Sequence, residues 1–71
     1  MEKDHLVDEL RRLESDVVAG ERRLAELEAH IADMKRQKLD TGRAAAELQA
    51  MREHQRIRQQ DRQRLLSLLQ R

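Results

Sequence analysis

The side chains able to do chemistry in this chain are few and widely spaced. His5, His30 and His54 are its only groups with an ordinary pKa near neutrality. They form no local metal motif, and there is no His-Glu-x-x-His pair on one helical face. If the chain folds back on itself, His30 meets the neighbourhood of residue 51, about one turn from His54, still short of the convergent ligands a tetrahedral site uses. Glu21, Glu26, Glu28 and Asp33 supply carboxylates, but a thin rod offers little shielding to raise their pKa values. Ser15, Thr41 and Ser67 have no base nearby in sequence to activate them. The chain has no cysteine, hence neither thiol chemistry nor a disulfide framework. These residues imply no catalytic, metal or cofactor site and a non-enzymatic role.

A second cluster is denser. Arg52, Arg56, Arg58, Arg62 and Arg64 alternate with Gln55, Gln59, Gln60 and Gln63, residue types that contact phosphates and base edges. In a nucleic-acid-binding accessory protein, Arg52, Arg56 and Arg58 would make those contacts. The overall balance argues against a strong field, since 15 Lys and Arg against 14 Asp and Glu leave a net charge of +1. Residues 1–38 carry eight basic and ten acidic side chains, and residues 39–71 carry seven basic and four acidic ones. A basic arm folded against an acidic one has much of its potential cancelled. Nucleic-acid binding is therefore the alternative, behind a protein-interaction or structural role.

The elements that position these residues follow from hydrophobic spacing. Leu6, Leu10, Leu13, Val17, Gly20, Leu24, Leu27, Ile31 and Met34 recur in alternating steps of four and three, uninterrupted by proline, which is the repeat of a long packed helix. The β-branched Val17 and Ile31 fall on only one of the two core positions, a pattern that in a parallel dimer favours two strands. A parallel coiled coil is thus a genuine rival fold. Gly20 interrupts this stripe. It reads either as a gap that weakens the helix by about 1 kcal/mol, or as a close approach where a larger side chain or a backbone fits over the missing Cβ. A lone glycine in a helical period is not a phosphate loop.

The pattern fails between Lys38 and Ala44, leaving Leu39-Asp40-Thr41-Gly42 as the expected turn; the other reading is one continuous helix with a polar patch. Asp40 or Thr41 can cap the next helix, and Lys35, Arg36 and Lys38 suit the carboxyl end of the preceding one. Neither cap has Glu or Gln three residues later, so no capping box forms. The spacing predicts a helix over about 4–38, a turn over about 39–42 and a helix over about 42–70. The second stripe passes from Leu48 and Met51 through Gln55, Gln59 and Arg62 to Leu66 and Leu69, with Ile57, Leu65 and Leu68 nearby. Its step from Gln55 to Gln59 inserts an extra four residues, which relaxes a supercoil. Arg52 with Arg56, and Arg58 with Arg62, repel each other along an isolated helix. A fold-back brings Glu28, Glu26, Glu21 and Asp16 broadly opposite them, which favours an antiparallel hairpin of coiled-coil type. Such surface pairs contribute only ~0–1 kcal/mol each, enough to select an arrangement rather than drive it.

With 71 residues, 38% of them hydrophobic and none aromatic, the chain lacks the bulk for a self-contained core. The expected all-α hairpin therefore self-associates into an antiparallel four-helix assembly, an oligomer built through the stripe above together with Leu48, Met51, Leu65, Leu66 and Leu69. A further, unidentified protein partner is compatible with the same seam. Met1-Glu2-Lys3-Asp4-His5 places acidic residues where a signal peptide needs a basic flank and an apolar run, and the apolar tracts are too short to span a bilayer, so a cytoplasmic location is expected. The Leu65-Leu66-Ser67-Leu68-Leu69 cluster has no Trp or Phe to anchor it in a membrane surface and reads instead as the closure of a bundle end or a docking ridge.

Val17, Gly20-Glu21-Arg22, Leu24-Ala25, Ile31-Ala32, Met34, Asp40-Thr41, Asp61-Arg62 and Arg64-Leu65-Leu66 together resemble a group of uncharacterised short helical-hairpin proteins of soil- and plant-associated alphaproteobacteria. The resemblance spans roughly residues 17–69. It implies a hairpin turning at Asp40-Thr41 and brings no activity, cofactor or catalytic residue with it. The sequence departs from that group at Lys38, where a glycine commonly precedes the turn, and at Gln59, where an apolar residue is usual.

Overall fold

The computed structural model describes residues 2–70. Among them the chain forms two helices, α1 (Glu2–Arg36) and α2 (Gly42–Leu69). Ion pairs join Glu28 to Arg52 and Glu14 to Arg62, so α2 runs antiparallel to α1 as a hairpin. Neither a continuous helix nor a straight parallel coil describes this chain. At about 1.5 Å per residue, the 35 residues of α1 set the length of a rod measuring 55 × 15 × 14 Å. Its radius of gyration is 16.3 Å, against about 11 Å for a compact domain of this length.

Compared with the expected span of about 4–38, α1 begins and ends two residues earlier. The reason for its end lies at Lys38, whose φ of 59° is left-handed. The Lys38 amide donates to the Lys35 carbonyl at 3.0 Å and the Leu39 amide to the Met34 carbonyl at 2.9 Å. These two reversed bonds form a Schellman cap, which satisfies the last carbonyls of α1 and stops it. Glycine usually takes the left-handed position because a Cβ there costs about 1 kcal/mol.

Asp40 opens the second arm. Its Oδ1 accepts from the Gly42 amide at 2.9 Å, while Thr41, the residue at the cap position, makes no side-chain capping bond. The Thr41 carbonyl accepts from the Ala45 amide at 2.7 Å. At the far end, the Gln70 amide donates to the Leu66 carbonyl at 3.1 Å.

Packing is confined to one line between the helices. Val17, Ile31 and Leu65 are buried, and so is Gln55, which at 5% exposure is more enclosed than any of the three. Leu6, Leu10, Leu13, Leu24, Leu27 and Met34 on α1 are half-buried, as are Leu48, Met51, Leu66 and Leu69 on α2. One neighbouring helix covers a side chain from one direction only.

The middle of α2 departs from the predicted stripe. Gln59 is exposed and Arg58 is half-buried, so the seam runs Leu48, Met51, Gln55, Arg58 without the extra four-residue step, then through half-buried Asp61 to Leu65, leaving Arg62 exposed. An arginine can occupy such a position because its aliphatic stem lies along apolar surface while the guanidinium reaches a polar partner.

Candidate functional site

Gly20 is where polar side chains of α2 occupy the space of a missing Cβ on α1. A Cβ built on it would overlap Gln55 Oε1 and stand 2.8 Å from Arg58 Nη1 and 3.0 Å from Gln55 Cδ. Of the two readings open for this glycine, the close approach is the one observed. Its missing side chain also uncovers the Val17 carbonyl one turn earlier, and Gln55 Nε2 donates to that oxygen at 2.7 Å. A helical carbonyl already receives the amide four residues on but keeps a second lone pair, which is what Gln55 uses. Arg58 Nη1 donates to Gln55 Oε1 at 3.3 Å. Both ends of the Gln55 amide are thereby engaged, and no buried side-chain nitrogen or oxygen among the described residues lacks a partner.

Two grooves flank this node. One, of about 530 Å³, is floored by Val17 and Val18 and walled by Glu14, Glu21, Gln59, Arg62 and Gln63. The other, of about 340 Å³ nearer the turn, is lined by Arg23, Glu26, Leu27, His30, Glu47 and Met51. His30 does come beside Met51, but His54 is exposed and does not line that groove. Among the described residues no group of three His, Cys, Asp or Glu side chains is placed to hold a metal ion.

The arginines are divided between the helices. Arg52 reaches Glu28 at 3.6 Å and Arg62 reaches Glu14 at 3.7 Å, both across the hairpin. Arg56 pairs instead with Glu53 on its own helix, and Arg64 with Asp61 at 3.6 Å. Of the four acidic residues expected opposite this arm only Glu28 makes such a pair; Glu26, Glu21 and Asp16 make none among the described residues, and Glu14, not among those four, pairs with Arg62. The hydrogen bond from Arg56 holds the Glu53 carboxyl below the usual glutamate value, and the same bond raises Arg56. Of the candidate nucleic-acid contacts, Arg52 and Arg56 each pair with a glutamate within the chain, which reduces the field they project, while Arg58 is hydrogen-bonded to the neutral Gln55 amide.

Gly20 and the apolar seam residues read from the sequence lie away from full exposure, whereas Gln59 and Arg62 of the expected second stripe are exposed. Val17, Gly20, Ile31 and Leu65 are buried, while Leu6, Leu10, Leu13, Leu24, Leu27, Met34, Leu48, Met51, Leu66 and Leu69 are half-buried. Gln55 and Arg58 were not recognised as a unit with Gly20. The signal was present: strict alternation of four- and three-residue steps continued through the polar stretch reaches both of them. Among the described residues, no helix is long and apolar enough to cross a membrane. Comparison with family models, with curated proteins and with solved structures gives no match.

Proposed function

We propose that this chain is a non-catalytic helical interaction module that works by self-association, two hairpins packing as an antiparallel four-helix assembly. The observation that carries this reading is the surface left over. The hairpin exposes 5896 Å², whereas a compact monomer of its mass exposes about 4,600 Å². The excess, roughly 1,300 Å², exceeds the ~800 Å² that each partner contributes to a standard stable interface. The half-buried leucines of both stripes supply apolar content to that surface. Membership of the alphaproteobacterial hairpin group belongs to the same proposal and adds no activity to it. Sedimentation equilibrium over a micromolar concentration series tests it. Twice the chain mass, or a higher multiple, is expected, and a folded monomer throughout the series would overturn the reading.

A further inference from the structure

We infer that the two hairpins meet through the face that carries Val18, about a two-fold axis parallel to the rod, so that α1 of each copy lies over α2 of the other. This rests on the self-association reading and names its surface. Val18 is 57% exposed, the most exposed large hydrophobic residue of the described chain, and floors the larger groove. Ala25 and Ala32 follow it at seven-residue intervals, both exposed, so a strip of small apolar side chains runs along this side of α1. Small residues let a second helix approach closely.

Charge selects the pairing. Glu14, Glu21 and Glu28 border the strip at the same seven-residue spacing. Within the chain Glu14 meets Arg62 and Glu28 meets Arg52, so these residues lie at matching levels along the hairpin. Midway between them Glu21 makes no ion pair among the described residues, and the level that corresponds to it on α2 falls at residue 57, next to Arg56, whose only ionic partner among those residues is Glu53 of its own helix. Laying α1 over α2 of a second copy in this register brings Glu21 to Arg56 of the partner subunit twice, once on each side of the axis. A two-fold interface must be complementary to itself, and this one is. The opposite axis would lay α1 on α1 and set the Glu14, Glu21 and Glu28 columns against each other. The other side of the rod, which carries the exposed Ile57, fails the same test because equal register there opposes Asp16 to Asp61.

The test is sedimentation equilibrium on the full chain and on Val18→Asp, Glu21→Arg, Arg56→Glu, the doubly reversed Glu21→Arg/Arg56→Glu chain and Ile57→Glu, each first checked for helical content. Val18→Asp and each single reversal should weaken association about tenfold or more, the double reversal should regain it, and Ile57→Glu should leave it within about threefold. If the unaltered chain is monomeric, both the self-association reading and this surface fall. If it associates but Val18→Asp and the single reversals do not weaken it, or the double reversal is no better than either single one, or Ile57→Glu disrupts it, the surface alone is wrong. The doubly reversed chain keeps the net charge and composition of the original, so its recovery separates contact from unfolding.

Discussion

Near the turn and at the open end, α2 offers aliphatic side chains to α1: Ala44, Leu48 and Met51 on one side, Leu65, Leu66 and Leu69 on the other. Between them it offers Gln55 and Arg58. The two regions solve different problems. Apolar burial is non-directional, and the stripe on α1 is so regular that a slide by one heptad would still oppose leucine to leucine. Gln55 is different, because its amide requires a carbonyl with an open lone pair and a place with no Cβ in the way. Only Gly20 provides that place along the α1 seam. The ends supply most of the stabilisation, and the middle supplies the register, as a buried polar residue does in coiled coils at some cost in stability.

The largest effect should come from the ends. Ile31→Ala, at 7% exposure, should lower stability by about 2–4 kcal/mol, whereas Gln55→Ala should cost about 1 kcal/mol, the net value of its hydrogen bonding. Urea unfolding followed by circular dichroism compares them directly. A Gln55 variant as damaging as the Ile31 variant would remove the distinction between the two regions.

The turn gives the next largest change, in the opposite direction. Lys38→Gly relieves the left-handed strain at φ 59° and should raise stability by about 1 kcal/mol, or the melting temperature by roughly 4–8 °C for a chain of this size. Thermal unfolding that leaves the midpoint unchanged would show that the cap is not strained.

Smaller still is the ion pair linking the apolar turn end to the arginine arm. A double-mutant cycle of Glu28→Gln and Arg52→Gln should give a coupling of about 0.5 kcal/mol or less that shrinks with added salt, because both side chains are more than half exposed. A coupling several times larger would show that electrostatics, and not apolar burial, holds the two helices together.

The smallest effect is a titration. Glu53 in the folded chain should have an NMR midpoint below that of an ordinary glutamate, moving back up in Arg56→Gln. Because the folded value is depressed, the favourable contribution is complete above the unfolded glutamate pKa and fades as pH falls through the folded value. An unshifted midpoint would show that Arg56 does not hold the Glu53 carboxylate in solution.

Much of the hairpin was legible because helix periodicity is a local property. The α1 stripe needed only its own leucines, and the turn followed from the loss of pattern before Ala44. The fold-back was favoured by the arginine repulsion and the acidic first arm, although the residue that pairs with Arg62 is Glu14, which was not among the acidic residues expected opposite that arm. What could not be read from hydrophobicity was the middle of α2. Gln59 and Arg58 are both polar, so hydrophobicity favours neither as a seam residue, and the choice between them depends on Arg58 having a stem long enough to lie on the seam and a guanidinium able to reach Gln55. Gly20 alone was equally ambiguous, because a gap and a close approach look the same until the opposing residue is known. The early end of α1 depended on a lysine adopting a glycine conformation.

The contact between Gly20 and Gln55 sets the register of the hairpin, and a double-mutant cycle on stability tests it most directly. Gly→Ala inside a helix ordinarily stabilises by about 1 kcal/mol. In the original chain, Gly20→Ala must displace the Gln55 amide from the Val17 carbonyl and from Arg58, which offsets that gain at about 1–2 kcal/mol. In a Gln55→Ala background nothing is displaced, and the full gain should return. A coupling of about 1 kcal/mol or more is expected between the two positions, with Gly20→Ala neutral or destabilising alone and stabilising beside Gln55→Ala. An equal gain in both backgrounds would contradict it.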